Sequence, residues 1–511
     1  MEYKTSSHLL RRTLTGPRYD QITKAVELGL DQTVELLLSE NQDSLPINYY
    51  FEDDPLVPIG ETWVGKEITT GISNLNNARY NSLLAWLVKS MLENKFSIKE
   101  KMTLFLHNHL VISDNTNSNF NYNYISLLRN NYLGDFKQLV KDVTIEAGML
   151  KYLNGNENTA SAPNENYARE LLELFTIGKG PLIADGDYTF YTEQDVREIA
   201  RCLSGWRIDY TNYIGFFKSN QHDKETKQLS DKFDNIVIEN LEEEEYKTVI
   251  DIIFSKDEVS KFICRQLYIW FVNYNITEDI ETNIIEPLAQ IFRENNYVLY
   301  PVLETLLKSN HFYDECNIGS MVRSPIDYIF TAINAGKVAF PEDEIEKYKV
   351  SIFLYKGILK ELDQAYFLIP SVAGWKAYYQ EPVFYRYWLS SVSLSERKTF
   401  IKALINGTTK INGIKYGMDL LTLITEFPEP ENPDSLINSF IDLYLSQDLS
   451  DEQKEYLKTQ VLIPGLPDYE WTVEYSDYLS DPDDDVKKNS ILTKLRNLNL
   501  ILLNMPENQL M

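Results

Sequence analysis

At 511 residues and 43% apolar content, the chain can build one large core or two ordinary ones, since single cores stop growing near roughly 250 to 300 residues. A formal charge of −27, with no Lys/Arg cluster set against it, excludes nucleic acid and anionic membrane faces as general partners. Cys202, Cys264 and Cys316 are too few and too far apart for a disulfide framework or a cysteine-based zinc site. No apolar window of about 18 residues suggests membrane insertion. The start Met1 to His8 lacks the apolar stretch of a signal peptide, so a cytoplasmic location is expected, with export bound to a signal-bearing partner left open.

Apolar residues recur at spacings of three and four in Ile22 to Leu38, Leu84 to Met91, Glu93 to Val111, Phe136 to Tyr152, Glu193 to Leu203, Val259 to Val272, Ile280 to Phe292 and Tyr300 to Leu307. The fold is therefore predicted to be mainly α, a large multi-helix bundle-like domain. Long stretches without that period, Asn41 to Thr70, Asp114 to Asn123, Leu153 to Asn164 and Leu182 to Tyr191, carry aromatic residues and are predicted to be ordered loops. Trp206 to Phe233 breaks the helical period around Gly215 and predicts a small β-hairpin insertion. After an aromatic turn region, Val372 to Tyr387, a second helical group follows: Leu394 to Leu404, Gly417 to Thr425, Pro433 to Leu445, Asp451 to Leu462 and Asn489 to Leu503. The expected division is a helical core domain over 1–395 and a C-terminal helical subdomain over 396–511.

Three constellations carry polar chemistry. In Ala162 to Gly178, Pro163 and Asn164 open a helix and Gly178 closes it; at 100° per residue Glu165, Arg169 and Glu173 form one ladder, with Asn166 and Glu170 at its edge. Such a ladder can be a solvated face, or Glu170 and Glu173 can serve as acid/base groups or metal ligands. His107 and His109 flank Asn108; two residues apart on a helix they point about 200° apart and cannot both chelate one ion, so each is either a buried brace or a single ligand or base. His222-Asp223 sits in the hairpin region, where it is either surface decoration or a pair that swings over a cleft. Thr192 to Asp195 reads as a capping box, and Arg197 and Arg201, one turn apart, are free to pair with the glutamates. Familiar nucleotide loops, the serine nucleophile elbow and His-Glu-x-x-His are not present.

Taken in order, several segments resemble the bacterial family catalogued as domain of unknown function 1800. They are His8-Leu9-Leu10-Arg11-Arg12 with Gly16-Pro17, Glu100-Lys101-Met102 leading into His107-Asn108-His109, Ala162 to Thr176, Asp195 to Trp206, His222-Asp223, Arg323-Ser324-Pro325, Val372-Ala373-Gly374-Trp375, Trp388-Leu389 with Arg397, and the tail Met505 to Leu510. This chain departs where Thr13-Leu14-Thr15 replaces an aromatic or Gly-Phe-Gly run and where Leu110 replaces a common Phe. The resemblance implies a mainly helical fold, frequent genomic pairing with an exported sulfatase-like family, and a shared polar site drawn from the same His, Asn, Glu and Arg residues.

Two functional expectations follow. In the first, a metal-assisted hydrolase, His107, His109, Glu170 and Glu173 hold a divalent metal or act as acid/base. His222 and Asp223 then complete the catalytic set, and Asn166, Arg169, Arg201 and Trp206 bind substrate. In the second, the chain is a non-catalytic partner or scaffold for a sulfatase-like protein, with a high tyrosine content suited to interfaces. A third reading is glycan recognition on Trp and Tyr platforms.

Overall fold

The computed structural model describes residues 1–113, 117–184 and 186–511. They form a mainly α protein whose β structure is confined to small two-stranded antiparallel pairs. The periodic segments are helical: Tyr19–Leu37, Leu75–Glu93, Lys99–His109, Phe136–Ile145 with Ala147–Tyr152, Glu193–Cys202, Asp257–Phe271 and Leu299–Lys308. Several bounds move because glycine or asparagine enters the left-handed region, which ends or bends a helix. Gly29, at φ 77°, kinks Tyr19–Leu37, and Asn94, at φ 44°, separates Leu75–Glu93 from Lys99–His109.

The predicted hairpin is present, with Trp206–Asp209 paired to Ile214–Phe217, and a second short pair joins Lys227–Gln228 to Val237–Ile238. The loop over 41–70 is ordered and pinned from within: Trp63 is fully buried with its indole N–H 2.9 Å from the Ser82 hydroxyl, and Arg79 grips Asp54 through two hydrogen bonds. Two loop expectations need correction. Residues 114–116 lie outside the described residues, but Ser118–Asn130 is a helix, because the Asn117 side chain caps the Asn119 and Phe120 amides and Phe120, Tyr124, Ile125 and Leu128 form its buried stripe. In the other, residue 185 lies outside the description, while Leu182–Ala184 pairs with Asp187–Tyr188.

One core cluster takes in buried residues from Leu9 to Met511. The proposed boundary near residue 395 is crossed by a buried junction that draws together the outlying motifs. Arg11 donates to the Asp442, Leu443 and Leu445 carbonyls at the C-terminal end of the Pro433–Tyr444 helix, and Arg323 donates to Tyr444, Leu510 and the Asn508 side chain. Arg12 donates to Asn317 and Met511, and Arg397 to Gln509 and the Arg323 carbonyl. Cations suit the unpaired carbonyls of a helix C-terminus. The paired arginines near residue 11, the Arg323 segment, Arg397 and the tail are thus parts of one structural lock. Among the described residues no helix is long and apolar enough to cross a membrane.

Candidate functional site

The block from Asn164 to Gly178 begins as expected. The Asn164 side chain accepts from the Asn166 amide, the helix runs over Asn166–Glu170, and Gly178 closes it at φ 77°. It then widens into a π-helical turn over Leu171–Thr176. The wider turn breaks the predicted ladder after Arg169, because residues beyond it no longer advance by 100°. Arg169 pairs with Glu165 at 3.2 Å and takes Glu193 bidentately at 2.6 and 2.7 Å. Glu173 turns to the Tyr191 hydroxyl at 3.2 Å and to Lys179 at 3.3 Å. Asn166 is exposed. Glu170 is half-buried; burial first, and then the neighbouring Glu173 charge, push its carboxyl above the ordinary range.

The two histidines of Lys99–His109 leave opposite sides of the helix, as their spacing requires. His109 Nε2 lies 2.9 Å from the Phe175 carbonyl, its ring stacked on Phe105 and close to Phe136 and Phe262. Burial lowers its pKa to about 4, and no carboxylate acts on it. His107 lies between Tyr366 and Phe367, fully buried; among the described residues neither ring nitrogen has a partner of good hydrogen-bond geometry, and the Ile112 main chain only partly offsets the burial that lowers its pKa to about 3. Asn108 between them accepts from the Trp375 amide at 2.8 Å, and a Cβ on Gly374 would come within 2.5 Å of its Oδ1. The Val372 to Trp375 motif therefore exists to let one backbone pass directly over another.

The third group is buried more deeply than a surface loop would be. His222 Nδ1 meets the Ser204 carbonyl at 2.8 Å, and Nε2 lies 3.0 Å from Glu245. Glu245 is also 2.7 Å from the Lys227 ammonium, and the side chains of this trio have no solvent exposure. Asp223 points the other way and holds Arg201 bidentately at 2.8 and 3.2 Å, with Glu198 completing the pair at 2.6 Å. Trp206 is buried against Tyr246 and Phe217. The roles of Glu245, Lys227 and Ser204 were not legible in the sequence: Glu245 ends a run of four glutamates, Lys227 sits among other lysines, and no spacing marks either as a partner of His222. The capping box forms as predicted, Thr192 donating its amide to Asp195 at 2.7 Å and accepting the Asp195 amide at 3.4 Å.

The convergence expected between the residue-108 histidines and the residue-170 carboxylates takes another form: His109 reaches the motif helix at a main-chain carbonyl. His107, His109, Glu170 and Glu173 do not fit a metal ion, since one imidazole is bonded to Phe175, the other faces away, and Glu173 is shared by Tyr191 and Lys179. Among the described residues no three His, Cys, Asp or Glu side chains are grouped to hold one.

The model of the family described as "Protein of unknown function (DUF1800)" matches residues 8–510. The chain belongs to that family. Comparison with the curated proteins and with the solved structures finds no match. In this member of DUF1800, the segments that carry the resemblance are where helices are tied to one another: Arg11, Arg12, Arg323 and Arg397 at one junction, Asn108 with Gly374 at a second, His109 with Phe175 at a third.

An imidazole buried with no more than a weak contact to the Ile112 main chain is costly, roughly 1–3 kcal/mol for such a group. His107→Leu is accordingly expected to raise the urea midpoint; a lowered midpoint would show that the imidazole has a partner which stabilises it.

Proposed function

We propose that this DUF1800 chain is a non-catalytic helical scaffold, and that its partner is the sulfatase-like protein that the family resemblance implies. The observation that supports the reading is the use to which the motif groups are put. Arg169 is spent on Glu193, Arg201 on Asp223, His109 on the Phe175 carbonyl and His222 on Glu245. A catalytic set needs groups free to meet a substrate at a common point; these are bonded to different elements of their own fold. An apolar surface is available for docking on the outer face of the hairpin, where Ile214 and Phe216 stand exposed opposite Asp209 and Arg207.

The test is association of the purified chain with the sulfatase-like protein encoded nearby, by isothermal titration at micromolar concentrations. Ile214→Asp together with Phe216→Asp is expected to weaken association at least tenfold, ~1.4 kcal/mol, at an unchanged melting temperature. No association of the unaltered proteins would remove the reading.

One observation favours a second reading, acid/base chemistry at Glu170. Its carboxyl is raised by burial and by Glu173, as a general acid requires, the Arg169 and Lys179 charges offset this only in part, and among the described residues it forms no ion pair. Under the scaffold reading Glu170→Gln removes a like-charge contact and leaves association unchanged, with a small gain in stability. Under the catalytic reading the same substitution abolishes a turnover that the unaltered protein shows.

A further inference from the structure

A cleft of about 670 Å³ lies between the segment 38–45, the end of the Ser118–Asn130 helix and the turn that follows it, and its lining includes none of the candidate-site residues described above. Its size falls within the range of small-molecule sites. One wall is unusual. Glu40, Gln42, Ser44 and Leu45 are exposed, so the 39–45 stretch has little core of its own and would be expected to fray. Instead donors from other elements hold its carbonyls at Ser39, Asn41, Gln42 and Ser44. The Tyr132 hydroxyl reaches the Ser39 carbonyl at 3.1 Å, Lys99 the Asn41 carbonyl at 2.8 Å, and the Trp86 indole the Ser44 carbonyl at 2.8 Å. Asp43 receives Arg129 through two bonds of 3.0 Å and Lys99 at 2.7 Å. The guanidinium is also bonded to Glu100 and lies 4.9 Å from the Trp86 ring centre. Burial opposes ionisation of Asp43, and the two cations overcome it and hold the carboxyl below its ordinary value.

That arrangement fixes the wall in advance and turns its side chains outward, which is what lowers the entropic cost of binding. The charges at the base neutralise one another, Asp43 and Glu100 against Lys99 and Arg129, so the cleft offers no excess of positive charge to an anion. The rest of the lining includes the exposed Glu40 carboxylate, which accepts hydroxyl donors, and Asn41, Gln42, Asn130 and Ser126, groups that carry donor and acceptor side by side, together with the half-buried rings of Tyr122 and Tyr300. Vicinal sugar hydroxyls present the same paired donor and acceptor pattern, and the C–H face of a pyranose suits a flat aromatic surface.

We infer that this cleft is a binding site for a neutral oligosaccharide. The inference rests on the cleft alone and is independent of the scaffold reading. Isothermal titration of the full chain with cellotetraose, xylotetraose, mannotetraose and chitotetraose tests it. At least one probe is expected to bind with a dissociation constant below about 1 mM. That probe is expected to lose at least tenfold in affinity in Tyr122→Ala and in Gln42→Ala. Gln42 is exposed, so its variant separates lost binding from lost folding. Failure of all four probes to bind, or affinity unchanged in Gln42→Ala and in Tyr122→Ala, overturns the assignment.

Discussion

Replacing Glu245 with Ala is expected to cost roughly 3–5 kcal/mol, because it leaves a buried ammonium without its counter-charge. Lys227 and Glu245 are wholly shielded, at 2.7 Å, and His222 completes the group at 3.0 Å. Among the described residues the Lys227 ammonium would keep only the Asp223 carbonyl, at 2.5 Å. Burial, and then Glu245, already push the adjacent Cys202 thiol upward, a sign of how poorly this pocket solvates charge. The double substitution Lys227→Met with Glu245→Gln removes both charges and is expected to recover most of the loss, since the penalty lies in the unpaired charge and not in the missing pair. Chemical denaturation of the two variants measures the difference. Equal destabilisation of single and double variants would show that the trio is not a closed charge pair.

Acidification is the second large effect, and its sign follows from the buried imidazoles. His109 has its pKa lowered from 6.5 to about 4 by burial, so the unfolded chain binds a proton in this interval that the folded chain refuses. The stability it contributes is fully present above 6.5 and is lost as pH falls toward 4. At ~1.4 kcal/mol per pH unit the loss from this group is about 3 kcal/mol, and His107, lowered to about 3, adds to it in the same direction. Glu146 acts in the opposite sense: burial raises its carboxyl from 4.5 to about 8, so its stabilising protonated form is lost as pH rises through 8. The total profile therefore mixes both, and the informative quantity is a difference. His109→Gln keeps a donor near the Phe175 carbonyl but does not titrate. Urea unfolding at pH 7 and pH 4.5 should show a smaller acid loss in the variant by about 2 kcal/mol. Identical acid losses in both proteins would contradict the burial of an uncharged His109.

Much of the fold was legible because helices such as Asp257–Phe271 bury one stripe and expose the other, a pattern that periodicity detects. Pro325–Ala335 escaped for the opposite reason: every residue in it is buried, so it has no polar face to set a period. The helix that begins at Ser118 was hidden by its polar residues, of which Asn119 and Asn121 are buried. At the candidate site, the 200° divergence of His107 and His109 could be computed from spacing and is what the structure shows. The π-helical turn after Glu170 could not, because a widened turn needs tertiary contacts to persist and leaves no residue signature of its own. The same holds for Lys227 and Glu245, which are separated by a strand pair and become neighbours only when the second hairpin folds.

Under the proposed scaffold role, the polar groups of the motif block serve no substrate, and those that are paired, Arg169, Glu173 and His109, tie its elements together. Titration of the proposed sulfatase-like partner with the His109→Gln, Glu170→Gln, Glu173→Gln triple variant tests it most directly. A dissociation constant within about twofold of that of the unaltered chain, ~0.4 kcal/mol, is expected. A folded triple variant that no longer associates, or one that loses a turnover the unaltered chain displays, would contradict it.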